Sequence, residues 1–201
     1  VIILQLKNLG FNHITLAVNY QAEIIKAYFG NGSKLGIKID YSLEPKPLGT
    51  MGPLSLIPDL PENFLVMNGD ILTDLDFKLF FNNHKKGKEI FSISASKRVE
   101  LINYGLLKID SKNNLIDFEE KPKNQYLVSM GIYAMSKKIL KYIPKNRFFG
   151  FDDLMLTLLN KKITVKVNEF NGYWRDIGRP EDYSLAIEEF EDKKKIILGN
   201  E

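Results

Sequence analysis

Cysteine is absent from this sequence. That excludes a disulfide framework and any thiolate metal site, and it fits a reducing cytoplasm. Histidine is nearly absent too: His13 and His84 are the whole supply and are not spaced as a metal pair. His13 reads as a strand-entry residue and His84 as an exposed helix residue. No Ser–His or Cys–His constellation is visible. No apolar run approaches the roughly 20 residues that a membrane helix needs, and no charged n-region of a signal peptide opens the chain. The first residue is valine rather than methionine, so the natural chain is expected to begin further upstream. Net charge is small, +3 from 28 basic and 25 acidic residues, whereas a nucleic-acid binder carries a clustered basic face. The one basic run, Lys193-Lys194-Lys195, reads as part of a solvated tail over residues 193–201.

What remains is ordinary globular material. The 201 residues are 44% hydrophobic and 26% charged, enough for one domain with a sizeable core. Helix-spaced apolar residues from Val1 to Leu9 stop at Gly10. A short apolar run follows at His13–Asn19, then a helix pattern at Gln21–Phe29 and a strand pattern at Leu35–Leu43. Helix and strand alternating in this way indicate an α/β fold built on a mostly parallel sheet. Pro53 suits the first turn of a helix to about Asp59. Asn63–Met67 reads as a buried strand, Asp76–Lys86 as a helix with Phe77, Phe80 and Phe81 inward, and Glu89–Ser96 as a strand. From Tyr104 the pattern changes to an antiparallel β excursion: Tyr104–Ile109 and Leu115–Phe118 flank the turn-rich Asp110–Asn114. Strands at Tyr126–Met135 and Ile163–Phe170, short helices near Lys137–Tyr142 and Asp152–Asn160, and a closing helix at Glu181–Glu191 complete the pattern.

In open α/β sheets ligands bind beyond the carboxyl ends of the strands. Asp70 lies at such an end, in Asn68-Gly69-Asp70. Asp176 lies in Trp174-Arg175-Asp176-Ile177-Gly178, where it reads equally as a helix cap or as a partner of Arg175. Two carboxylates at separate strand ends are what a magnesium ion needs, since it takes hard oxygen ligands and fills its other positions with water and phosphates. Glu119-Glu120-Lys121-Pro122 offers a fixed point charge for a phosphate and a carboxylate for hydroxyls, or simply a charged turn. Leu48-Gly49-Thr50-Met51-Gly52-Pro53 offers glycines that let the backbone approach a flat ligand, ahead of a helix N-terminus.

In order and spacing, Glu44…Leu48-Gly49-Thr50-x-Gly52, Asn68-Gly69-Asp70, Tyr104-Gly105, Glu120-Lys121-Pro122, Gly131-Ile132-Tyr133 and Trp174-x-Asp176-Ile177-Gly178 resemble the sugar-1-phosphate nucleotidyltransferases. The likeness runs from Val1 to about Phe190, and its ending is closer to the mannose-1-phosphate guanylyltransferase-like branch than to the thymidylyl branch. It implies a Rossmann-like (GT-A-like) nucleotidyltransferase fold, a three-layer sandwich over residues 1–192. It also implies that Glu44, Leu48, Gly49, Thr50, Gly52, Asn68 and Gly69 contact the nucleotide, and that Asp70 and Asp176 hold Mg2+. Gly105, Glu120 and Gly131 would face the sugar and Lys121 its phosphate, with Asp70, Lys121 and Asp176 catalytic. The substrates implied are a nucleoside triphosphate and a sugar 1-phosphate, in the cytoplasm, with no nucleic acid and no membrane. Two departures stand out. Met51 replaces a usual small residue, and the family's G-x-G-x-R phosphate loop with its strand is expected before Val1.

The chemistry so implied needs no protein nucleophile: a phosphate oxygen attacks the α-phosphorus, helped by positioning and charge stabilisation. Turnover by these residues alone is expected to be weak without the upstream loop. Two alternatives stay open, a catalytically silent binding or regulatory domain of the same fold and a Rossmann dehydrogenase. A homo-oligomer through Phe148, Phe149 and Phe151 also stays open.

Overall fold

The computed structural model describes residues 1–178 and 180–198. Its central sheet has four strands in the order β3 (Asn63–Met67), β8 (Lys123–Ser136), β5 (Phe91–Leu101) and β9 (Lys166–Phe170). β8 is antiparallel to both β3 and β5, and β5 is parallel to β9, so three of the four strands run the same way and β8 is reversed. Alternation along the strands builds a core on each face. Phe64, Tyr133, Met135, Phe91 and Ile93 face Leu154 and Leu158 of α4 (Phe151–Asn160). Ile132 and Ala134, on the other face of β8, meet Leu6 of α1 (Ile2–Asn8) and Phe77 and Phe80 of α3 (Phe77–Lys86). The result is a three-layer α/β sandwich, as the resemblance implied.

β1 (His13–Val18) and β2 (Lys38–Leu43) form a separate parallel pair, with α2 (Ala22–Phe29) between them in the chain. β1 pairs with β2 alone and β3 with β8 alone among the described residues, so each keeps one edge without a ladder partner. Ile14 of β1 nevertheless packs with Leu65 and Met67 of β3 around the same core. β1 was expected to be buried, but its residues are mostly half-exposed, because that open edge leaves it covered on fewer sides.

Several boundaries differ from the sequence reading. The segment after Met51 is a short 3-10 turn, Gly52–Leu56, rather than a helix to Asp59. Two three-residue strands escaped notice: β4 (Ile71–Thr73) and β10 (Trp174–Asp176), antiparallel to each other. The hairpin is as expected, β6 (Gly105–Ile109) against β7 (Leu115–Glu120), with every residue of β7 exposed. The closing helix α5 runs Pro180–Leu198. Lys193–Lys195 therefore lie within it, and Ile197 beyond them is buried, while residues 199–201 lie outside the described residues. His84 is also not exposed. It is 5% accessible, and its Nδ1 lies 2.8 Å from Ser92 Oγ, because it follows Phe77 and Phe80 on the buried face of α3.

Candidate active site

β3 delivers Asn68-Gly69-Asp70 past its end, and the chain turns at once into β4. β10 runs back along β4 with Asp176 opposite Ile71. The Ile177 N–H donates to the Asp70 carbonyl at 2.8 Å, which locks the two strand ends together. The two carboxylates then converge. A methyl group built on Gly178 would lie 2.9 Å from Asp70 Oδ2 and 3.1 Å from Asp176 Oδ1. Only glycine leaves that space open between two exposed carboxylates. Asp176 is neither a helix cap nor a partner of Arg175: its Oδ1 accepts the Gly178 N–H at 2.9 Å, and Arg175 turns the other way.

On that other side Arg175 makes a forked pair with Glu189 of α5, Nε to Oε2 at 3.1 Å and Nη2 to Oε1 at 2.6 Å. The Tyr173 hydroxyl donates to Glu189 Oε2 at 2.9 Å. These donors, Tyr173 foremost and then Arg175, hold the Glu189 carboxyl below the usual carboxylate range. Burial, and then the same hydrogen bond, push the Tyr173 phenol up. No local spacing could have revealed this group, since Glu189 stands 14 residues from Arg175 on another element. Trp174 points the opposite way and donates Nε1–H to the Met130 carbonyl at 3.1 Å.

Met130 begins an irregularity in β8, where the register against β5 slips between Ile93 and Ala95. Gly131 takes φ +72° there, a conformation that favours glycine. A side chain on it would collide with Asn68, whose Nδ2 lies 2.8 Å from where a Cβ would stand. Asn68 and Gly131 are thus neighbours, also joined by Asn68 N–H to Gly131 O at 2.9 Å.

The glycine loop is built differently from expectation. Glu44 Oε2 accepts the Leu48 N–H at 3.0 Å and closes the Pro45–Pro47 turn. The close approach at Gly49 and Gly52 is made by the chain itself. A Cβ at Gly49 would meet Phe149 O at 2.9 Å, and one at Gly52 would meet Arg147 O at 2.9 Å. The Met51 and Gly52 N–H groups both donate to Phe149 O at 3.0 Å, so they are not free for an anion. Met51 is fully buried in the core, which leaves Thr50 and Phe148 as the exposed edge of the loop. Phe149 and Phe151 pack on the core rather than offering a surface.

The residues expected on the sugar side, apart from Gly131 in β8, form a third group at the hairpin. Gly105 pairs with Glu120, and Phe118 packs over Gly105 so closely that a Cβ there would be 2.6 Å from its ring. Lys121 is exposed and held at φ +47°, its N–H donating to the Tyr104 carbonyl at 3.3 Å. Among the described residues no hydrogen bond joins this group to Asp70 or Asp176. A cavity of about 690 Å3 lies elsewhere, lined by His13, Thr15, Asp40 and the Leu56–Asp59 segment.

The arrangement of two strand-end carboxylates, a glycine loop and a hairpin ending at Lys121 can be compared with known proteins. A family model described as nucleotidyl transferase matches residues 1–193. The chain belongs to that family. Among curated relatives of this nucleotidyl transferase is a D-glycero-alpha-D-manno-heptose 1-phosphate guanylyltransferase from Campylobacter jejuni. It is 35% identical over 180 residues, covering 89% of this chain and 79% of that protein. A probable mannose-1-phosphate guanylyltransferase from Oryza sativa is 31% identical over 201 residues, covering 90% of this chain and 53% of that protein. The chain thus spans about half the length of that plant relative. Among solved structures, HddC from Yersinia pseudotuberculosis superposes with a TM-score of 0.69 at 29% identity, covering 94% of this chain and 83% of the other. The same protein has also been solved with GMP-PN.

Among the described residues no group of three or more His, Cys, Asp or Glu side chains is placed to enclose a metal. Magnesium does not require one, since one or two carboxylates plus water and phosphate oxygens suffice. The glycine-lined gap between Asp70 and Asp176 fits that donor set. A cage-type zinc or calcium site would not fit.

Proposed function

We propose that this nucleotidyl transferase moves a nucleotidyl group from a nucleoside triphosphate to a sugar 1-phosphate, releasing pyrophosphate. GTP with mannose 1-phosphate or a related sugar 1-phosphate is the favoured pair. The observation that carries this is the convergence of Asp70 and Asp176 around Gly178, and the guanylyl names of the relatives support the choice of base. A phosphate oxygen of the sugar 1-phosphate attacks the α-phosphorus. The new P–O bond forms as the bond to the bridging oxygen breaks, and pyrophosphate leaves with the electron pair. Mg2+ held by Asp70 and Asp176 would supply charge neutralisation between the two phosphate groups.

The protein's own part is orientation. Glu44 and Thr50 present the open edge of the loop to the base, with Asn68 and Gly69 beside the nucleotide, while Leu48, Gly49 and Gly52 shape the loop from within against Arg147–Phe149. Gly105, Glu120 and Gly131 take the sugar, and the Lys121 ammonium meets its phosphate as a point charge.

The test is pyrophosphate release with four nucleoside triphosphates against a panel of sugar 1-phosphates, with and without magnesium. The expected result is release that needs magnesium, one base and one sugar phosphate, and that falls at least 100-fold in Asp176→Asn. Nucleotide binding by folded protein with no release for any pair would instead favour a silent binding domain.

A further inference from the structure

β4 and β10 are three residues each, too short for an isolated ribbon to hold its own register. Yet the placement of Asp176 beside Asp70 depends on that register. On one face of β10, Trp174 is anchored in the core and to Met130. On the other face the only residue is Arg175, next in the chain to Asp176, and its guanidinium is gripped by Glu189. Forked guanidinium–carboxylate pairs fix direction as well as distance. Arg175 is 23% exposed and Glu189 36%, so water competes only partly with the pair. Tyr173 adds a third donor to the same carboxylate. α5, which carries Glu189, is itself fixed: Ala186 and Ile197 pack on Leu72, and Gln5 Nε2 donates to the Ile197 carbonyl at 2.7 Å.

We propose that Glu189 is a positioning residue for the carboxylate pair. By gripping Arg175 and Tyr173 it fixes β10 against β4 and keeps the guanidinium from turning onto Asp176, where it would compete with a divalent cation. The inference rests on the reading of Asp70 and Asp176 as magnesium ligands.

The test uses Mn2+ as the probe, followed by the EPR signal of the free ion, together with the magnesium dependence of pyrophosphate release. Glu189→Gln should weaken Mn2+ binding and raise the half-saturating magnesium concentration about tenfold. Its rate at saturating magnesium should stay within about twofold of the parent. Arg175→Gln should cost less, and Glu189→Gln added to it should cost nothing more, because the pair acts as a unit. Unchanged Mn2+ affinity in folded Glu189→Gln overturns the proposal. If that variant does not fold, unchanged affinity in Arg175→Gln overturns it instead. Asp176→Asn separates the two levels. If it leaves Mn2+ binding intact, the magnesium assignment itself fails. If it abolishes binding while Glu189→Gln does nothing, only the role of Glu189 fails.

Discussion

A methyl group at position 178 would stand about 3 Å from an oxygen of each carboxylate, closer than ordinary van der Waals contact. Both acids are exposed and can swing apart to admit it, so the cost falls on their convergence rather than on the fold. Gly178→Ala is therefore expected to cut turnover at least tenfold while moving the Tm by no more than about 2 °C, checked by pyrophosphate release and thermal melting. The position of both acids at strand ends was legible in the sequence, Asp70 directly after Gly69 and Asp176 two residues before Gly178. The meaning of Gly178 was not, because a gap between side chains from two separate segments leaves no mark on either. The glycines at 49 and 52 show the reverse error. They looked like room for a ligand, and the room is taken by Arg147–Phe149 of the same chain. His84 could have been read correctly, since positions 77, 80 and 84 share one helical face.

At the scale of elements, α1 and α5 are joined by one buried amide. Gln5 Nε2 donates to both Thr73 O and Ile197 O at 2.7 Å, and its Oε1 is buried without a partner. Gln5→Leu keeps the volume and removes that lone oxygen, but it strands two carbonyls. An unmet buried acceptor costs about 1–3 kcal/mol, partly offset here by the lost oxygen. A net destabilisation of about 2 kcal/mol is expected, read from the urea midpoint at unchanged slope. Long, periodic elements such as α3, β3 and the β6–β7 hairpin were readable from apolar spacing and turn residues. β4 and β10 were not, since three residues carry too little pattern and their pairing joins positions about a hundred apart. α5 was cut short because Lys193–Lys195 outweighed Ile196 and Ile197 in a local reading.

For the whole molecule, titration sets a stability window. His84 is held neutral, its pKa lowered from 6.5 by burial. The unfolded chain therefore takes up that proton first, and stability is lost as pH falls below about 6.5. Asp40, Asp110, Asp117 and Glu169 are all held below their ordinary range, by Lys38, Asn114, Lys108 and Lys97 foremost. Each therefore removes stability further down, as it is protonated in the fold. Tyr133 and Tyr173 are raised from 10.0, chiefly by burial, so stability also falls as pH rises past that value. The Tm is expected to be flat from about pH 7 to 9.5 and to drop on both sides. Loss of the first acid step in His84→Gln would assign that step, and an unchanged profile would refute the assignment.

The hairpin has a consequence of a different kind. β7 is exposed throughout and β6 nearly so, and the rest of the fold closes on itself without them. Residues 102–122 are in effect a cassette clipped between the ends of β5 and β8. The sugar recognition proposed for it could then drift, or be exchanged between related chains, without renegotiating the core that holds the two carboxylates together.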